Sequence, residues 1–305
     1  MGTAGVRPQA NAGDPDTTGD PSVLLTHAEA RLAQLLPPPP AGGTGVLVEA
    51  ARTALLSPGK RARPVMAMLA CAHVGGAPLS ALDYGCAVEM VHAASLVLDD
   101  LPCMDDAALR RGAPTVHRAH GEDAAVLSAI ALLNQAHRTV LGDAGLGAEH
   151  RLALIEALTE AVGFDGLAQG QIRDLRDGAD DRTEYGLRRL NHLKTGALFV
   201  AAVRGGGLIG GGVPAQLDAL ATFGEAVGFA FQLCDDLHDV DATSETLGKD
   251  VRQDLGKVTF VDLWGAGRVR MAIRQSLVRA QDALGPDCAL GAYAWELFRN
   301  AGFTR

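Results

Sequence analysis

The chain has 305 residues, 48% of them hydrophobic and 21% charged, which is enough apolar material for one large core and enough length for an enzyme. Its net charge of −9 argues against a nucleic-acid partner, which would call for a basic face, and its five scattered cysteines outline neither a disulfide framework nor a zinc site. The N-terminus lacks the pattern of a signal peptide and no apolar stretch reads as an uninterrupted bilayer span, so the expectation is a cytoplasmic protein with no stable membrane insertion.

Residues 1–21, rich in Gly, Ala, Pro, Asp and Thr, predict a disordered tail, and residues 22–305 a single catalytic domain. Leu24, Leu25, Ala28, Leu32 and Leu35 predict a first helix, stopped by Pro37 to Pro40, and a second covers Val46 to Leu56. The turn Ser57-Pro-Gly-Lys60-Arg61-Ala-Arg63-Pro64 sets three cations before a helix running to Val74, either as a solvated basic face or as an anion site. A long helix from Leu79 to Leu98 carries Glu89, His92 and Asp99 on one face. It ends in Asp99-Asp100-Leu-Pro102-Cys-Met-Asp105-Asp106, where Pro102 breaks the helix and forces a bulge, with Arg110 and Arg111 close behind.

Apolar helices follow at Glu122–Leu141 and His150–Val162, and then Gln171 and Asp174 share a helical face. Thr183 caps a helix through Leu193 that breaks at Lys194-Thr195-Gly196, ahead of a run of small residues to Leu208. From Pro214 to Val240 comes a second long helix whose Gln232, Asp235, Asp236 and Asp239 form one stripe, too polar for a core. A loop with Lys249 precedes two or so final helices, interrupted at Gly285-Pro286. With no sustained alternation of period two, the fold class is all-α, one domain of roughly ten helices. His73, His117, His120, His137 and His238 are read as surface or core residues rather than ligands.

Carboxylates this close in sequence repel one another unless they protonate or hold cations, and oxygen donors favour a hard ion such as Mg²⁺. Two acidic clusters with basic loops around them suit a metal-bound diphosphate, whose departure the metal would assist. No Ser/His/Asp set, Cys/His pair or Walker loop offers a rival mechanism.

The chain here resembles the trans-isoprenyl diphosphate synthases. The Gly-Lys-Arg-x-Arg, Asp-Asp-x4-Asp, Arg-Arg-Gly, Gly-Gln-x-x-Asp, Lys-Thr-Gly and Asp-Asp-x-x-Asp motifs all stand in family order between Ser57 and Thr259. The resemblance implies a helical bundle around a central cavity and a homodimer. It implies that Asp99, Asp100, Asp105, Asp235 and Asp239 hold three Mg²⁺, with Mn²⁺ as a substitute, on an allylic diphosphate (dimethylallyl, geranyl or farnesyl). It further implies that Arg110, Lys194 and Lys249 grip that diphosphate, that Gln171, Asp174 and Gln232 line the site with Thr195 beside the forming cation, and that Lys60, Arg63, His92 and Arg111 bind isopentenyl diphosphate. Ala94 and Ser95, about one turn before Asp99, would set chain length, and small residues there look like the bacterial geranylgeranyl diphosphate synthases, which make a C20 product. A C15 product, a non-catalytic subunit of a heteromeric synthase and a terpene cyclase are the alternatives.

Overall fold

The computed structural model describes residues 19–38, 45–178, 180–241 and 258–305. Most of the tail 1–21 and the predicted loop with Lys249 lie outside them. In chain order the helices are α1 (Pro21–Leu35), α2 (Val46–Leu56), α3 (Ala62–His73), α4 (Leu82–Asp99), α5 (Val116–His120), α6 (Glu122–Leu141), α7 (Ala148–Val162) and α8 (Leu167–Arg176). They continue as α9 (Glu184–Asn191), α10 (Ala197–Ile209), α11 (Pro214–Asp241), α12 (Phe260–Trp264), α13 (Ala266–Leu284) and α14 (Ala289–Leu297). The all-α reading holds, and the number of helices exceeds ten chiefly because pieces as short as α5 and α12 are invisible to periodicity.

Two local departures from regular helix carry polar side chains of the cavity. Leu109–Arg110 and Ala113–Pro114 pair as a minimal antiparallel hairpin, β1 and β2, across Arg111 and Gly112 at φ 54° and 79°. That two-residue loop, left-handed at both positions, matches the twist of its strands. The expected break at Lys194-Thr195-Gly196 is a π-helical turn, His192–Gly196, that joins α9 to α10 without interruption. One extra residue in the turn re-aims the side chains it carries.

The core has two clusters. Met66, Phe199, Phe223, Phe260, Ile273 and Leu290 belong to the first, and Leu55, Tyr84, Met90, Leu132, Leu158 and Leu198 to the second. Helix α10 feeds both, Phe199 into one and Leu198 into the other. Its Gly206 lies against the backbone of Ala67, an approach that leaves no room for a Cβ. Against the sequence expectation, 78–99 and 214–239 do reach the length and apolarity of membrane spans, but 72% of the first window and half of the second are buried in the fold. Their apolarity serves the core, and their polar ends form the site.

Candidate active site

Helices α4 and α11 bring their acidic ends to opposite walls of one cavity of about 610 Å³. Asp99, Asp105, Asp235 and Asp239 all face it, together with Lys60, Arg63, His92, Arg110, Arg111, Gln171, Asp174, Lys194, Thr195 and Gln232. The bulge after α4 is fixed by its own backbone: Asp105 N–H donates to the Asp99 carbonyl at 2.9 Å, and Ala107 N–H to that of Asp100 at 3.2 Å. The break at Pro102 thus presents Asp99 and Asp105 side by side.

Asp100 departs from the expected metal role. It is 2% exposed, does not face the cavity, and accepts from Arg110 Nε to both carboxylate oxygens at 2.8 Å and from the terminal guanidinium nitrogen at 2.6 Å. A carboxylate this occupied orients Arg110 rather than binding a cation. The acidic stripe of α11 divides in the same way. Asp236 lines the cavity too but is 5% exposed and already engaged, accepting from Gln232 Nε2 at 3.0 Å and from the Phe260 backbone N–H at 3.2 Å, while Asp235 is exposed to the cavity. Gln232 Oε1 in turn accepts from Thr195 Oγ1 at 2.9 Å, so the π-helical turn is tied to α11 by a continuous chain of bonds.

At the basic corner, Lys60 donates to the Leu297 carbonyl at 3.1 Å, and the Arg63 guanidinium stacks 4.4 Å from the Phe199 ring. Arg111 reaches Ser57 Oγ at 3.0 Å. Arg61, from the same basic turn, pairs with Glu89 at 3.1 Å in the protein interior and does not line the cavity. Burial lowers Arg63 to about 10, and its Nε has no partner among the described residues, so this corner suits an anion. Burial, reinforced by Arg63 and Arg111, holds His92 well below the ordinary imidazole range, and it stands neutral among the cations.

On the acidic side, burial raises Asp99 to about 6 against the opposing pull of Lys194, and Asp105 adds to the rise. The donor set fits a hard divalent ion, since Asp99, Asp105, Asp235 and Asp239 offer oxygen alone and Asp99 is partly buried beside the like charge of Asp105. Among the described residues no three His, Cys, Asp or Glu side chains are gathered tightly enough to hold an ion without help. Mg²⁺ completes its shell from water and phosphate oxygens, so preassembly is not required.

A second, almost wholly apolar pocket of about 310 Å³ adjoins the first and shares Ser95, Asp99, Leu167 and Gln171 with it. Val91, Ser95 and Leu98 form its α4 wall, with Leu133, Val162, Ile172 and Leu175 among the residues facing them. Ala94 is corrected here: it is 0% exposed, packed in the second core cluster, and lines neither pocket. Of the two residues expected to meet a growing chain, Ser95 alone lines a pocket. The sequence also passed over Arg182, Asn191, Phe231 and His238, all of which line the larger cavity. Phe231 adjoins Gln232 in the chain and could have been found from it; Arg182 and Asn191 sit in no motif.

Comparison with known proteins completes the picture. The family model for polyprenyl synthetase matches residues 45–268. A geranylgeranyl diphosphate synthase of Pantoea ananas is 41% identical over 284 residues, 92% of each chain, and one of Pseudescherichia vulneris is 39% identical, covering 88% of this chain and 87% of its own. Among solved structures, an FPP/GFPP synthase from Zymomonas mobilis superposes with a TM-score of 0.80 at 33% identity, over 92% of this chain and 96% of that one. A geranyltransferase from Helicobacter pylori, complexed with magnesium and isoprenyl diphosphate, superposes with a TM-score of 0.79 at 27% identity, over 96% and 99%.

Proposed function

The chain belongs to the polyprenyl synthetase family, and from that premise we propose that it is a prenyltransferase joining isopentenyl diphosphate head to tail with allylic diphosphates to give geranylgeranyl diphosphate. The observation that carries this reading is the pairing of one polar cavity, acidic on two walls and basic at a corner, with an apolar pocket that opens from it at Ser95 and Gln171. A diphosphate needs the first and a lengthening hydrocarbon needs the second.

In this reading Asp99, Asp105, Asp235 and Asp239 would hold Mg²⁺, three ions in all, which would supply the positive charge that offsets the diphosphate leaving group. Arg110, aimed by Asp100, and Lys194, held by Asp174 at 2.7 Å, grip the same group. The C–O bond to the diphosphate breaks, leaving an allylic cation beside Thr195 and Gln232. The double bond of isopentenyl diphosphate, held by Lys60, Arg63 and Arg111 next to neutral His92, supplies the electrons of the new C–C bond. Loss of one proton restores the alkene, and diphosphate accepts it. The exposed apolar residues Val126, Leu127, Ile130 and Leu141 on α6 support a homodimer, to be checked by light scattering.

Chain length is the discriminating test. Given labelled isopentenyl diphosphate and farnesyl diphosphate, the purified enzyme is expected to consume both and yield C20. Unconsumed farnesyl diphosphate would make it a C15 synthase, and no turnover with any allylic primer would make it a non-catalytic subunit.

A further inference from the structure

We propose that Arg182 is a positioning residue for the allylic diphosphate, one that keeps Lys194 available by occupying half of the carboxylate that would otherwise cancel its charge. The proposal rests on the prenyl-transfer reading and deepens it. Arg182 precedes α9 and belongs to none of the motifs. It is 8% exposed yet lines the large cavity.

Its contacts define its task. One terminal nitrogen donates to the Asp174 carbonyl at 2.7 Å and to Asp174 Oδ1 at 3.2 Å, and the other to the Val258 carbonyl at 3.4 Å. The second carboxylate oxygen, Asp174 Oδ2, accepts from Lys194 Nζ at 2.7 Å. One carboxylate is therefore shared between two cations, and the trio carries a net charge of +1. Without Arg182, the Asp174 carboxylate would bear on Lys194 undivided. A lysine so engaged offers an incoming diphosphate less attraction, and drawing it away costs a charge-assisted hydrogen bond. The guanidinium also bridges the C-terminal half of α8 to the segment entering α12, whose Phe260 N–H holds Asp236. Arg182 thereby links the wall that carries Lys194 to the wall that carries Asp235.

Farnesyl diphosphate and isopentenyl diphosphate are titrated separately, with Mg²⁺, by calorimetry, so that no condensation occurs and the result does not depend on what product the enzyme makes. Arg182→Gln is expected to weaken farnesyl diphosphate about tenfold or more, the worth of one charge-assisted contact, and to leave isopentenyl diphosphate within about twofold. Arg182→Lys should recover part of the loss. The decisive variant is Arg182→Gln with Asp174→Asn, because removing the carboxylate frees Lys194 and should bring farnesyl diphosphate affinity back toward the unmodified protein. A purely structural Arg182 would make this double variant worse than the single one. That outcome, or equal weakening of both ligands in a single variant that still melts cooperatively, would overturn the proposal. A wild-type protein that binds farnesyl diphosphate without extending it would count against the C20 reading alone.

Discussion

Asp99, proposed as a metal ligand, sits at a position that costs the metal-free protein stability. Burial raises its carboxyl to about 6, from 3.8, so the folded protein holds that proton more tightly than the unfolded chain does. Stability in the metal-free protein is therefore lost as pH rises from 3.8 to about 6, and the deficit persists above it. Asp99→Asn should abolish turnover yet stabilise the metal-free protein on the order of 1–2 kcal/mol at pH 8, a gain that fades on acidification toward pH 4. Chemical denaturation at the two pH values checks this, and a destabilised Asn variant at pH 8 would contradict it. One turn away, Ser95 and Ala94 separate by direction. Ser95→Phe should fill the mouth of the apolar pocket and shorten the product with little loss of stability. Ala94→Phe should instead overpack the core, costing about 1–3 kcal/mol in a melt. Product analysis and melting of both variants would distinguish them.

At the scale of elements, what the sequence disclosed depended on how far apart the partners lie. Helices α4 and α11 were legible because apolar periodicity runs their whole length and carboxylates mark their ends. Thr183 was legible as a cap because its side chain accepts from Gly186 N–H only three residues on. The β1–β2 hairpin was not, since two-residue strands have no period to detect and Arg111 stands at a left-handed position more usual for glycine or asparagine. Nor was the contact of Lys60 with the Leu297 carbonyl, across 237 positions. The engagement of Asp100 by Arg110 and of Asp236 by Gln232 and Phe260 was hidden for the same reason, because the partners decide it. The π-helical turn illustrates the point, since its seat on α11 needs a glycine there: a Cβ on Gly228 would come within 2.8 Å of Gly196 Cα. Gly228→Ala should push the turn off α11, costing about 1–3 kcal/mol of stability. It should also lower kcat by separating Thr195 from Gln232. Unchanged kcat in a destabilised variant would mean that the Thr195–Gln232 bond is dispensable.

Across the whole molecule, the site lies where the two core clusters meet, and each cluster supplies one acidic wall through a helix it buries. Asp99 and Asp105 stand on one side and Asp235 and Asp239 on the other, so ligands that neutralise both walls at once should be the strongest stabilisers. Because no described group of three carboxylates is preassembled, Mg²⁺ alone has too few protein donors to bridge them. Inorganic diphosphate alone would meet Lys194 and Arg110 but also the two acidic walls. Binding to the folded state stabilises it by RT ln(1 + [L]/Kd), about 2.7 kcal/mol at a hundredfold excess over Kd. Thermal melts should therefore show small shifts with either ligand alone and a much larger one with both, reversed by a chelator. Asp235→Asn, which removes one wall's contribution, should reduce the joint shift toward the sum of the separate ones. A full shift with Mg²⁺ alone would mean that the acids already form a complete ion site and that diphosphate is a later, independent guest.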